Sequence, residues 1–229
     1  MCVITFNNTS DRVRVGLRSR DQIWVRDNTD DNIGFSRAAN ELARRGTDSL
    51  ILFVNPDGDP LPDCFDLLEA CFEDAGVVAA AARESDSTLP PDRDWLTGAC
   101  LAVRRRAFEE VGGFDESLFM YGEDVDLSWK LARLGRLVLC QQAVFIHDQH
   151  SRGWLAAFRM VRNELLVRKR WNKPSSTLRV AHYGLYNCRQ GMWLLGTARL
   201  AGLASFLTID ALGKWRLRSW VGGGDPRHH

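Results

Sequence analysis

Two groups of residues have the types and spacing for chemistry. Glu123-Asp124-Val125-Asp126 places three carboxylates within four positions, after a Gly112-Gly113 turn and before an amphipathic run. Like charges repel and a buried carboxylate needs a partner, so such a cluster is costly unless it is used. The second group is Asn55-Pro56-Asp57-Gly58-Asp59-Pro60, directly after the apolar run Leu50-Ile51-Leu52-Phe53-Val54. Acids at the exit of a buried strand are well placed to hold a divalent cation against a phosphorylated ligand. One acidic station for a metal and another for a base imply group transfer from a nucleotide-activated donor.

The surrounding pattern supplies elements that could carry these groups. Cys2 to Phe6 and Gln22 to Arg26 are β-rich and end at turn residues. Phe35 to Arg45 has helical spacing and stops at Gly46. Leu50 to Val54 has the continuous apolar character of a strand buried on both faces. Pro62 to Asp74 predicts a helix and Val77 to Ala82 a strand, while Glu84 to Asp94 has loop composition. A strand at Cys100 to Val103, a helix at Arg105 to Val111 and a helix at Asp124 to Leu134 follow. Short strands at Leu137 to Leu139 and Val144 to Ile146 precede a long basic helix, Trp154 to Trp171. The order argues for an α/β open sheet.

Composition sets the outer bounds. The chain has 229 residues, enough for one substantial core or a core with an appendage. A net charge of +1 gives no reason to expect nucleic acid as a partner. The charge is uneven, with basic residues gathered at Arg152 to Lys173 and Lys214 to Arg218. Six cysteines without a C-x-x-C pair read as reduced core residues of a cytoplasmic protein. No signal peptide is expected, and the lack of an uncharged apolar run of about eighteen residues predicts no spanning helix.

Five stretches, taken in order, resemble the family 2 glycosyltransferases of the GT-A fold, in particular their rhamnosyltransferase-like branch. They are Val3-Ile4-Thr5-Phe6-Asn7, Val25-Arg26-Asp27-Asn28, Asn32 to Asn40, Phe53-Val54-Asn55-Pro56-Asp57, and Phe114-Asp115 through Tyr121-Gly122-Glu123-Asp124-Val125-Asp126-Leu127. The resemblance implies a GT-A mixed sheet flanked by helices, with a helical C-terminal appendage. It places the catalytic domain at 1–173 and a helical extension at 174–229, bounded at Pro174.

By the same resemblance, Thr5 and Asp27 hold the nucleobase, and Asn32 and Gly34 form a turn beside the donor, with Arg37 near its diphosphate. Asp27-Asn28 could equally be a capped turn. Asn55-Pro56-Asp57 is similar to the branch's variant D-x-D motif, making Asn55 a ribose contact and Asp57 the ligand of Mn²⁺ or Mg²⁺. Asp59 is the rival ligand, unless it is a solvated acid in a β-turn. His147 after the last core strand is a second metal ligand, with His150 as its alternative and Arg152 as a phosphate contact. Asp124 is the base that deprotonates the acceptor, at a helix N-terminus that favours its ionised and weakly basic form. Trp95, Gly98 and Glu123 belong to acceptor binding, with Glu123 and Asp126 also candidates for fixing loops. N-terminal capping is the competing reading of the cluster, which follows an entry segment, Phe119 to Gly122, expected to be flexible.

These assignments imply an inverting transferase that moves a sugar from a nucleoside diphosphate sugar to a hydroxyl of a carbohydrate, lipid-linked or natural-product acceptor. Trp193, Leu194, Leu200, Leu203, Phe206 and Leu207 recur at helical spacing near the C-terminus. They imply packing on the core, a homodimer, or peripheral contact with the cytoplasmic face of a membrane. Two other classes compete. A nucleotidyltransferase would show a basic Gly-rich phosphate loop near the first strand, which Thr5 to Asp11 lacks. A non-catalytic scaffold subunit would tolerate loss of the base or metal acid, and both are present.

Overall fold

The computed structural model describes residues 1–6, 21–85, 93–147, 153–175 and 177–211. Its centre is a seven-stranded sheet in the order β2-β1-β3-β6-β5-β7-β4. The strands are β1 Cys2–Phe6, β2 Gln22–Arg26, β3 Leu50–Val54, β4 Gly58–Pro60, β5 Val77–Glu84, β6 Cys100–Arg104 and β7 Arg136–His147. β1 pairs in parallel with β2 and β3, and β5 with β7. β6 runs antiparallel to both β3 and β5, and β4 antiparallel to β7. The sheet is therefore mixed, as expected from the family resemblance.

Helices cover it. They are α1 Phe35–Ala43, α2 Cys64–Ala70 with a 3-10 turn at Cys71–Glu73, α3 Arg105–Glu110, α4 Glu123–Leu131, α5 Trp154–Arg170, α6 Thr177–Arg189 and α7 Trp193–Ala211. All five residues of β3 are buried, consistent with its unbroken apolar run. Its alternate side chains enter different layers. Ile51 and Phe53 pack with Leu42 of α1 and with Leu127 and Leu131 of α4, whereas Leu50, Leu52 and Val54 pack with Phe65 and Leu68 of α2. Phe53 also meets Phe108 and Phe114 at ring-centroid distances of 5.3 and 5.0 Å. That cluster anchors the start of the segment leading to the acidic group.

Three local expectations change. The two short strands after α4 are one strand, β7, with a register irregularity against β5 between Ala82 and Arg83. Gly58-Asp59-Pro60, open to a turn reading, is an edge strand paired with Phe145–His147. Gly58 permits this, because a Cβ there would meet the Phe145 ring at 2.4 Å. The third change concerns α7. It is 19 residues long with a mean hydropathy of 1.2, long and apolar enough to cross a membrane by length and composition. Arg199 and Asp210 interrupt it, so an uncharged-run criterion misses it. The helix packs on α5 through Leu203 and Phe206 against Leu165 and Leu166.

Candidate active site

The base candidate lies at the start of α4. Gly122, at φ 86°, turns the chain into the helix. Asp124 Oδ2 accepts the Gly98 N–H at 3.1 Å and Oδ1 accepts the Val125 N–H at 2.8 Å. Burial pushes the Asp124 carboxyl above its ordinary range, with these two N–H groups opposing the rise. The expectation of a weakly basic Asp124 is therefore corrected, because desolvation outweighs the helix terminus. The charge of Arg93 also reaches this carboxylate.

The neighbouring acids have other fates. Glu123 is buried, and its carboxyl takes the N–H groups of Glu123 and Tyr121. Its Oε2 has no hydrogen-bond partner among the described residues. Burial, reinforced by the charge of Asp124, pushes Glu123 up to about 8. Asp126 is fully buried and works as a tie: Oδ1 accepts Arg170 at 2.8 Å and the Trp171 indole at 2.9 Å. Arg170 also bonds Asp115 at 2.5 Å, so one guanidinium joins both ends of the motif. Asp126 thus fixes the loop, one of the two roles expected of it.

The entry segment before α4 is held firmly, contrary to the flexibility expected of it. Phe119 O accepts the Phe35 N–H at 2.8 Å. The amide of Asn163, buried on α5, donates to Met120 O at 3.0 Å and to Tyr121 O at 2.9 Å. Ser36 Oγ donates to Leu118 O at 2.5 Å, and Asn40 donates to Phe114 O at 2.9 Å. Ser36, Asn40 and Asn163 were not singled out by sequence. The available signal was a polar residue on an otherwise apolar helix face, four apart in α1.

The metal candidate leaves β3 close by. The Asn55 N–H donates to Ala99 O at 2.8 Å, and the next residue back, Gly98, donates to Asp124. Two consecutive residues therefore bridge the Asn55-Pro56-Asp57 corner and Asp124. Gly58 is paired with His147, which sets the end of β7 beside the residue after Asp57. The His147 side chain, His150 and Arg152 lie outside the described residues. Asp57 and Asp59 are both half-buried, and Asp59 is inside β4 opposite Ile146. Among the described residues no three His, Cys, Asp or Glu form a group able to hold a metal. A site completed by oxygens of a diphosphate ligand is consistent with that acid content.

The donor-side candidates line the other half of the sheet. Thr5 is the penultimate residue of β1, is fully buried, and its Oγ1 has no partner among the described residues. Asp27 is exposed, and its Oδ1 accepts the Thr29 N–H at 2.9 Å and hydroxyl at 2.5 Å, a capped turn. Asn32 Oδ1 accepts the Gly34 N–H at 3.0 Å. Gly34 has φ 85°, and a Cβ there would sit 2.6 Å from Phe119 O. The Asn32-Gly34 turn thus touches the loop that leads to Asp124. Trp95 is half-buried with the Arg93 guanidinium 5.1 Å from its ring centroid.

Residues 69–222 match the family model described as glycosyl transferase family group 2. The chain belongs to that family. Within the family, a stretch of 61 residues is 52% identical to the N-acetylglucosaminyl-diphospho-decaprenol L-rhamnosyltransferase of Mycobacterium tuberculosis. That stretch spans 26% of this chain and only 20% of the relative. The fold is similar to a mannosyltransferase from Pyrobaculum calidifontis solved with GDP-Man and Mn²⁺, with a TM-score of 0.61 and 18% identity over 94% of this chain and 80% of that one. It is also similar to glucosyl-3-phosphoglycerate synthase from Mycobacterium tuberculosis, solved with Mn²⁺, UDP-glucose and phosphoglyceric acid. There the TM-score is 0.59, with 15% identity over 76% of this chain and 80% of that one. These likenesses establish the GT-A fold of this family 2 chain.

Proposed function

We propose that this family 2 chain is an inverting glycosyltransferase that moves a sugar from a nucleoside diphosphate sugar to an acceptor hydroxyl. The observation that carries the reading is the Gly98-Ala99 bridge, which ties the Asp124 carboxylate to the strand end bearing Asn55 and Asp57. Asp57, with His147, would hold Mn²⁺ or Mg²⁺, and the ion would neutralise charge on the departing diphosphate. Thr5, Asp27, Asn32, Gly34 and Asn55 bind the nucleotide. Glu123, Gly98 and Trp95 border the acceptor.

Asp124 takes the proton from the acceptor oxygen as that oxygen attacks the anomeric carbon, opposite the leaving diphosphate. The Gly98 N–H orients Oδ2 for that task, and burial raises the carboxylate's basicity. The similarity to an N-acetylglucosaminyl-diphospho-decaprenol L-rhamnosyltransferase supports a lipid-linked or carbohydrate acceptor. Exposed apolar residues on α6 and α7, including Leu178 at 83% and Trp193 at 65%, support peripheral membrane contact on the cytoplasmic face. The domain division at Pro174 is part of the same reading.

The test is nucleoside diphosphate release from a panel of sugar nucleotides with Mn²⁺. Asp124→Asn is expected to lower kcat by about 10²–10⁴-fold while leaving the melting temperature and donor binding near the parental values. Parental turnover in a folded Asp124→Asn variant would overturn the assignment. Pyrophosphate release would favour a nucleotidyltransferase, and silence with every donor a scaffold role.

A further inference from the structure

Five cations lie on α5, and their partners differ. Arg168 pairs with Glu164 at 3.0 Å, Lys169 with Asp210, and Arg170 with Asp115 and Asp126. Arg159 and Arg162 have no carboxylate partner among the described residues. They stand one turn apart on one helix face. The Arg159 guanidinium lies 4.4 Å from the Phe119 ring centroid, and that of Arg162 lies 5.6 Å from the Phe158 ring centroid. Arg162 Nε donates to Asn163 Oδ1 at 2.9 Å, so the same residue clamps the entry segment and orients this guanidinium. Both arginines are half-buried.

Two neighbouring guanidiniums repel when no anion joins them. Burial chiefly, with the charge of Arg159 adding to it, holds the Arg162 pKa below its usual range. Their place in the fold limits what the anion is. Phe119 sits against Gly34 on the donor side and leads directly into Glu123-Asp124. The start of the same helix exposes Trp154 and Leu155.

We propose that Arg159 and Arg162 form a diphosphate-binding subsite beside the base. Forked guanidinium donors one turn apart suit the oxygens of two linked phosphates. The chemistry is shared by two ligands of the proposed reaction: the nucleoside diphosphate of the donor and a prenyl diphosphate carrying the acceptor. The inference rests on the proposed transfer and names the group read by this part of its site.

The experiment uses the full chain and titrates inorganic pyrophosphate calorimetrically in EDTA, where the Asp57 station has no cation to attract it. Wild type is expected to bind, and Arg159→Gln/Arg162→Gln to bind about tenfold more weakly or not at all. Arg168→Gln, which disturbs a cation already paired with Glu164, is expected to match wild type. If the double glutamine variant melts early, Arg159→Lys/Arg162→Lys keeps the charge without the fork and is expected to bind with intermediate strength. Equal pyrophosphate binding by wild type and both double variants, or none by wild type, would overturn the subsite. Competition identifies the source. Displacement by UDP or GDP alone assigns the donor, by geranyl diphosphate alone the acceptor, and by both a shared site; displacement by neither sinks the proposal. Binding here needs no sugar transfer. A chain that binds pyrophosphate through the pair but transfers nothing overturns only the proposed activity.

Discussion

The acids of the motif show how position alone separates function at the residue scale. Asp124 is bonded to a loop amide, Glu123 is buried against its own turn, and Asp126 is tied to Arg170. Glu123 makes a measurable prediction about stability. Its folded pKa of about 8 exceeds the ordinary glutamate value of about 4.3. Between those limits the unfolded chain gives up its proton while the folded chain keeps it. Folding stability therefore falls as pH rises through this window, and levels off above it. Glu123→Gln lacks the penalty, so its melting temperature should pull ahead of wild type from about pH 4.3 to about pH 8. Parallel melting curves across that range would show that Glu123 is not held protonated.

Among the elements, α1 and α5 matter to the site chiefly through what they clamp. Asn163→Ala removes both donors to the Met120 and Tyr121 carbonyls. A loss of about 1–3 kcal/mol is expected in denaturant unfolding, with kcat reduced by about tenfold through a displaced base. Gly34→Ala forces a Cβ to 2.6 Å from Phe119 O at φ 85°. It should cost about 1–3 kcal/mol in the same assay. Much of this architecture was legible in the sequence. The apolar run of β3, the helical spacing of α1 and the glycines around α4 marked where the carboxylates would sit. The clamps were not legible, because a buried asparagine in a basic helix looks like any solvated polar residue until its carbonyl partners, over forty residues away, are known. β4 escaped for a related reason: three residues containing Gly and Pro carry no strand pattern, and only pairing with β7 makes them one.

For the whole molecule, the exposed apolar face of α6 and α7 lies beyond the sheet and beside the basic α5. On the proposed peripheral membrane contact, wild type should co-sediment with vesicles containing anionic lipid, and Trp193→Ser/Leu194→Ser should reduce the bound fraction severalfold. A dimer mass by light scattering, with no vesicle binding, would instead assign the face to a second copy. The bridge between Asn55 and Asp124 has a consequence at this scale too. In the proposed reaction, the corner assigned to the leaving group and the oxygen assigned to the proton are separated by two consecutive residues of one backbone. Neither can shift without the other, so the gap that an incoming alcohol must fill has a set width. Choice among the several hydroxyls of a sugar then falls to the walls that steer the acceptor inward, and a change of regiochemistry should be sought there while Asp57 and Asp124 stay as they are.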